Sequence, residues 1–398
     1  MKLSRLSLAV AGVLGLSAAS AQAAAPVKMA FITDMSGVYS ALDGAGGVAA
    51  IKMAIHDFGG SVLGRKVELM TFDHQNKADL AAGKAKEFFS QDGADMLIAG
   101  TNSATALAME RVAASYKKPF IDIGGGASTI VGKECTPYTD MYAYNTTALA
   151  RGTGKAIVKQ GGKTWYFLTA DYAFGKSLQS DAAKVVEANG GKVVGQVYAP
   201  LASSDFSSYL LQAQASKAQV LGLANAGGDS VNSIKQATQF GITKTMKLAG
   251  LLLFVTDIHS IGLQSAQGLY LTTPWYWNQD AQSRAWAQRF YKEMHVMPTF
   301  VQAADYSATM TYLKEVKAAG TTEGDKVMAE LHKMKVDDMF MHDGTMAANG
   351  LMIHDMYLAQ VKTPAQSKSE WDLYNIVQKI PGADAFGPIA DYGCPLAK

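Results

Sequence analysis

Val27-Lys28-Met29-Ala30-Phe31-Ile32-Thr33, an apolar run that empties into Asp34-Met35-Ser36-Gly37, decides the fold, because the chain returns to the same unit near Thr164. In the first copy a stretch of helical periodicity follows over 48–58, then Gly59-Gly60, then Lys66-Val67-Glu68-Leu69-Met70. In the second copy Trp165-Tyr166-Phe167-Leu168-Thr169 leads into Asp171-Tyr172-Ala173-Phe174-Gly175. Helical periodicity resumes over 178–188, and Gly190-Gly191 precedes Lys192-Val193-Val194-Gly195-Gln196-Val197. An apolar run of strand length, a turn, a 3.6-period stretch and a second run make one βαβ unit. Two such units predict two similar lobes, and two lobes predict a cleft where function would sit.

Both copies continue in the same order. The first predicts a helix over 78–90, a strand over 96–99, the loop Gly100-Thr101-Asn102-Ser103, a helix over 105–116 and a strand over 119–123 closed by Gly124-Gly125-Gly126. The second predicts a helix capped by Ser204-Asp205, a strand over 220–224, the loop Asn225-Ala226-Gly227-Gly228-Asp229, a helix over 231–240 and a strand over 246–253. Strands alternating with helices of this length predict an α/β chain of two Rossmann-like lobes, each a parallel sheet with flanking helices. The last third differs. It reads as helices over 283–294, 302–319 and 325–334, a hairpin turned at Asn349-Gly350, a strand over 351–361, and a Gly/Pro-rich tail without periodicity from 380 onward.

Residues 1–23 read as a secretory signal peptide: Lys2 and Arg5 precede a short apolar stretch, and Ala21-Gln22-Ala23 is a small-x-small cleavage site. The stretch is too short to span a bilayer, so export to the periplasm with cleavage after Ala23 is expected. The chain carries 36 Lys+Arg and 34 Asp+Glu, and the excess of two is Lys2 and Arg5. The mature charge is thus balanced, which argues against nucleic acid or a membrane surface as partner. The two cysteines, Cys135 and Cys394, are expected to pair in an oxidising compartment, the alternative being two free thiols.

No catalytic constellation appears. There is no His-Glu-x-x-His, no Cys-His cluster, no Gly-x-Ser-x-Gly and no Gly-Lys-Ser/Thr phosphate loop, so neither an enzyme nor a bound metal or cofactor is expected. Gly44-Ala45-Gly46-Gly47-Val48-Ala49 matches a dinucleotide fingerprint, but ten residues separate Thr33 from Gly44, whereas that motif needs its first Gly at the strand end. The Gly run reads better as an entry to a helix. Ligands of open α/β sheets bind at the carboxyl ends of strands. There the first lobe offers Ser36, Tyr39, Asn102, Ser103, Gly125, Gly126 and Ser128, and the second offers Phe174, Asn225, Ala226 and Leu252. The first-lobe loops feed helix N-termini, whose free N–H groups suit an anionic head group; each hydroxyl alone also reads as a cap. Thr273-Pro274-Trp275-Tyr276-Trp277 is expected near the hinge, with Trp275 either packing there or walling the ligand.

Ser36-Gly37 with Tyr39, Gly59-Gly60 with Arg65-Lys66-Val67, Asp171-Tyr172-Ala173-Phe174-Gly175 and Asp205-Phe206, in this order and spacing, resemble the periplasmic branched-chain amino-acid (leucine/isoleucine/valine) binding proteins of ABC importers. The resemblance implies a monomeric clamshell with three hinge crossings that closes on a small ligand and docks on a membrane permease. It implies lobe 1 over 26–144 plus 273–345, lobe 2 over 145–272 plus 346–380, and a tail over 381–398. It places Ser103, Gly125, Gly126 and Ser128 at the pocket for a ligand carboxylate. Phe174 and Ala226 stand where the family commonly has Tyr, and Leu252 stands where an acid takes the ligand's ammonium. A buried ammonium without a carboxylate is costly. The expected ligand is therefore a carboxylate with an apolar or aromatic body and no α-ammonium. Amino acids stay open if Asp34, Asp171, Asp229 or Asp305 replaces the missing acid. A ligand sensor of the same fold is the alternative role.

Overall fold

Val27–Thr33 forms strand β1, and six of its seven residues are buried, as a strand covered on both faces requires. The computed structural model that shows this describes residues 24–333 and 335–397; the signal-peptide reading falls on 1–23, outside the described residues. β1 lies inside a six-stranded sheet with β2 (Ser61–Val62), β3 (Arg65–Asp73), β4 (Met96–Thr101), β5 (Phe120–Gly124) and β6 (Thr139–Met141), in the order β2-β3-β1-β4-β5-β6. Its pairings are parallel except for β2 with β3. The second copy builds β7 (Thr164–Ala170), β8 (Lys192–Ala199), β9 (Val220–Ala224) and β10 (Lys247–Gly250) into a parallel sheet of order β10-β9-β7-β8. Two sheets, each starting from one copy of the unit, give two lobes.

Helices cover the sheets through their apolar faces. Helix Ala78–Ser90 buries Ala81, Ala85, Phe88 and Phe89, four positions at helical spacing. Helix Gly44–Phe58 begins four residues earlier than its periodicity suggests, because Gly46 and Gly47 belong to it. A Cβ on Gly46 would meet Gln302 Nε2 at 2.2 Å, and one on Gly47 would meet Asp43 Oδ1 at 2.1 Å. The glycines admit helix Phe300–Ala319 and a buried carboxylate at close range, which accounts for the run without a pyrophosphate.

The chain passes between the lobes three times. The first passage follows β6. The second follows β11 (Tyr270–Thr273), and the third lies between β14 (Met352–Ile353) and β15 (Met356–Val361). β11, β15 and β16 (Tyr374–Ile380) form an antiparallel sheet beside the second lobe. β12 (Lys335–Val336), β13 (Gly344–Met346) and β14 form a small antiparallel sheet, and Leu351 bridges Met141 of β6. The segment 346–353 therefore sits with the first lobe, and the third passage comes at His354-Asp355 rather than at 346. The expected single strand over 351–361 is broken there, where His354 Nε2 turns to the Ala143 carbonyl at 3.0 Å.

The tail is structured. Helix Gly382–Phe386 and the turn Ile389–Tyr392 follow β16 back toward the first lobe, and Cys394 is disulfide-bonded to Cys135. Phe386 is fully buried against the His354 ring, and Asn145 donates to the Tyr392 hydroxyl at 3.0 Å. Tertiary contact orders this segment where local periodicity is lacking. Among the described residues, no helix is long and apolar enough to cross a membrane.

Candidate functional site

The loops at the carboxyl ends of both sheets face each other. Asp34 organises the first. Its carboxylate accepts from the Gly37 amide (2.8 Å), the Tyr39 amide (2.9 Å) and Asn76 Nδ2 (2.6 Å). This carries Tyr39 to the lobe boundary, where its hydroxyl lies 2.6 Å from that of Tyr172. Val38 accepts at its carbonyl from the Gly228 amide at 3.2 Å. Ser36 points elsewhere: it is exposed and donates to Asp73 at 2.6 Å, so it does not join the other candidates.

Asn102 ends β4 with φ +91°, and its side-chain oxygen accepts from the amides of Ala104 and Thr105 at the start of helix Ser103–Ser115. That cap satisfies two free amides of the helix N-terminus beside buried Ser103. Ser103 Oγ accepts from the Ala127 amide at 3.0 Å, joining the β4 loop to the β5 loop. In the β5 loop the Gly125 amide donates to Asp122 at 2.7 Å, and a Cβ on Gly126 would strike the Tyr144 ring at 2.5 Å. Ser128 has a different partner from the one expected. Its hydroxyl donates to Asp181 at 2.8 Å, on helix Ala173–Ala188 of the other lobe, and its amide bonds Thr146 at 3.1 Å.

The second lobe contributes apolar surface. Phe174, Ala226, Leu252 and Phe254 are all buried. Asn225 turns inward, bonding Ser230 (2.8 Å) and Ser233 (3.2 Å) of its own helix. Phe254 stacks on Phe300 at 4.5 Å, and Phe300 meets the edge of Tyr144 at 5.2 Å. An aromatic row thus runs from the Gly126 loop of one lobe to the Leu252 loop of the other. Trp275 stands beside this row at the hinge, with its indole N–H bonded to the Met339 carbonyl (2.8 Å) and Ser283 (3.0 Å). Tyr276 and Trp277 both donate to the Trp371 carbonyl, so the triplet packs the hinge.

Of the four acids that can replace the missing ammonium partner, three are committed. Asp34 is saturated by the three donors above. Asp171 is exposed and paired with Lys176 at 2.8 Å. Asp305 is fully buried facing Asp43 behind helix Gly44–Phe58, and burial pushes both carboxyls up. Asp229 accepts from the Ala202 amide at 3.2 Å, and burial pushes it up to about 6.

Tyr144, Tyr172 and Phe300 were not singled out in the sequence. Tyr172 lies inside the quoted Asp171–Gly175 motif, beside the Phe174 that drew attention. Tyr144 and Phe300 enter from the hinge and from a distant helix, and no local spacing announces them. No group of three or more potential metal ligands occurs among the described residues.

A family model described as periplasmic binding protein matches residues 26–368. The chain belongs to this family. A periplasmic binding protein from Burkholderia mallei is 60% identical, covering 94% of this chain and 99% of its own, with a TM-score of 0.93. A branched chain amino acid ABC transporter periplasmic ligand-binding protein from Burkholderia xenovorans LB400 is 40% identical over 94% of this chain and 100% of its own, TM-score 0.84. A Leu/Ile/Val-binding protein homolog 6 from Brucella melitensis is 26% identical over 64% of this chain, and the match spans 66% of that relative's length. The fold is shared with a solute binding protein of an ABC transporter from Rhodopseudomonas palustris BisB5 in complex with 3,4-dihydroxy benzoic acid, 23% identical over 90% of this chain and 98% of its own, TM-score 0.82.

Proposed function

We propose that this periplasmic binding protein is the solute-binding component of an ABC importer. It captures a small carboxylate with an aromatic or apolar body between its lobes, in the periplasm, and delivers it to the membrane permease. The observation that carries the reading is the two-sided cleft. A helix N-terminus with Ser103 is bonded to the Gly125–Ala127 loop, that loop packs on Tyr144, and Tyr144 begins the row Tyr144–Phe300–Phe254, with apolar Leu252 buried two residues before Phe254. The first side suits an anionic head; the second suits a ring or branched chain and gives an ammonium no carboxylate at position 252.

Closure follows from this division. A ligand drives the lobes together only by contacting both, and here the row for the body takes Tyr144 and Phe300 from the first lobe and Phe254, beside Leu252, from the second. A thermal-shift panel tests the reading. A ligand at 100 times its Kd stabilises by about 2.7 kcal/mol. Benzoate, 3,4-dihydroxybenzoate or a branched aliphatic acid is expected to raise the Tm, with leucine and valine inert. A shift with leucine or valine alone would overturn the ligand class. That second reading has one observation in its favour: Asp229 Oδ1 is buried without a partner near Tyr39 and Tyr172, where it can meet a donor group.

A further inference from the structure

A second concavity lies outside the cleft. It is a groove of about 1160 Å³ between helix Ala173–Ala188, the segment Lys155–Lys159 with the π-helical turn Ala150–Gly154 before it, and the C-terminal tail. Six cations line it (Lys133, Arg151, Lys155, Lys159, Lys176 and Lys184) against three carboxylates, Asp181, Asp384 and Asp391. The balanced charge of the whole chain makes this local excess informative. Lys176 and Lys184 have carboxylate partners, Asp171 at 2.8 Å and Asp181 at 3.6 Å. Lys133, Arg151, Lys155 and Lys159 form no ion pair with another described residue. Arg151, Lys155 and Lys159 are four residues apart, so they line one side of the groove over about 12 Å of helix.

The groove also has walls from both lobes. Ser128, Thr129 and Lys133 reach it from the loop after β5 on the first lobe, and the helix wall belongs to the second. The two are joined by Ser128 Oγ to Asp181 (2.8 Å) and Ser128 Oγ to Ser177 Oγ (3.2 Å). The remaining wall is the tail, held by Arg151 Nε donating to the Asp384 carbonyl at 2.7 Å and by the Cys135–Cys394 bond. Opening the lobes would separate Ser128 from Asp181 and change the spacing of Lys133 from the Arg151–Lys159 row.

We propose that this groove docks an acidic segment of a protein partner and recognises the closed form, the permease being the partner that the proposed importer role supplies. The length of the cationic row favours a peptide over one small anion, since a single phosphate or carboxylate cannot bridge it. Its concavity favours an inserted segment over a flat bilayer, because Arg151 is half-buried between two walls. The ion pairs at its rim are solvent-screened, so binding should be weak and salt-dependent, as suits a partner that is engaged and released.

The test is titration of the full-length mature protein with a short Asp/Glu-rich peptide, with a Gly/Ser peptide as control, at low and physiological salt. The acidic peptide is expected to bind and to weaken with salt. About a tenfold loss is expected in Arg151→Ala/Lys155→Ala/Lys159→Ala. The pair Lys155→Glu/Lys159→Glu changes only exposed positions and guards against misfolding of the triple variant; it should lose binding too. Equal affinity in wild type and both variants overturns the proposal. Full displacement of the peptide by equimolar inorganic phosphate also overturns it, in favour of a small-anion site. Capture by phosphatidylglycerol vesicles without peptide binding overturns it in favour of a lipid surface. The variants leave the cleft untouched, so solute-induced thermal shifts are expected to be unchanged in them; absence of any solute shift in wild type would instead count against the importer reading.

Discussion

Asn102 shows how one residue can set the start of a helix. At φ +91° it occupies backbone space that L side chains avoid, and its own amide group holds it there: Oδ1 caps two helix amides while Nδ2 donates to Asn76 Oδ1 at 3.0 Å. The position was legible as a loop between a strand and a helix; the cap and its strain were not, because the conformation depends on Asn76 from another loop. Buried acids show the opposite economy. Glu315, on helix Phe300–Ala319, is fully buried with neither carboxyl oxygen bonded, and burial pushes it up to about 10 from 4.5. Its folded form prefers the proton, so its stabilising contribution is full below pH 4.5 and is lost as pH rises toward 10. The loss is at most about 1.4 kcal/mol per pH unit across that window. Glu315→Gln cannot ionise and keeps the shape. We expect it to raise stability by roughly 1–3 kcal/mol at pH 8 and to give no gain near pH 4. Urea unfolding at the two pH values checks this, and an equal gain at both would remove the buried-acid account.

At the scale of elements, the Asp34–Asp43 loop of one lobe and the Tyr172 loop of the other meet through two phenols. Tyr39 and Tyr172 are 2.6 Å apart, and their burial raises the proton affinity of both hydroxyls, so both stay neutral and hydrogen-bonded. Tyr172→Phe leaves the Tyr39 hydroxyl without its partner in the closed form. That costs about 1–3 kcal/mol, or roughly 5–150-fold in the closed population. Release of whichever solute the panel identifies is expected to accelerate by a comparable factor in stopped flow. The double change Tyr39→Phe/Tyr172→Phe should cost less than the single one, because no polar group is then stranded. Additive effects would mean that the phenols do not act as a pair. These elements were largely readable in advance: the strands of both repeats and helix Ala78–Ser90 fall where apolar periodicity puts them. β16 was not, because most of Tyr374–Ile380 is solvent-facing and its pattern carries little apolar contrast. The aromatic row was not either: Tyr144 and Phe300 come from distant parts of the chain and meet Phe254 only after the lobes assemble.

For the whole molecule, the tail alters the mechanics that three passages alone would give. It leaves β16 beside the second lobe and crosses back to the first. On the way it touches Asn145 at the first passage and His354-Asp355 at the third, where the Gly382 amide donates to Asp355 at 3.1 Å. The disulfide then fixes its end to the loop that carries Ser128 and Lys133, closing a loop with a sequence separation of 259. The fold-level repeat therefore specifies two lobes, while a segment outside the repeat ties them together. In the chain-entropy account a loop this long sets a ceiling of about 5 kcal/mol on the stabilisation. Contacts made by buried Phe386 and Ala385 persist without the bond and keep the segment partly in place. Cys135→Ser/Cys394→Ser is accordingly expected to fold and to bind solute, but to unfold about 2–4 kcal/mol more easily in denaturant. The tail should also become the first site of limited proteolysis, since its last covalent hold on the first lobe is gone. Unchanged denaturation together with an uncut tail would show that packing alone carries the tie, and that the bond adds nothing to the joining of the lobes.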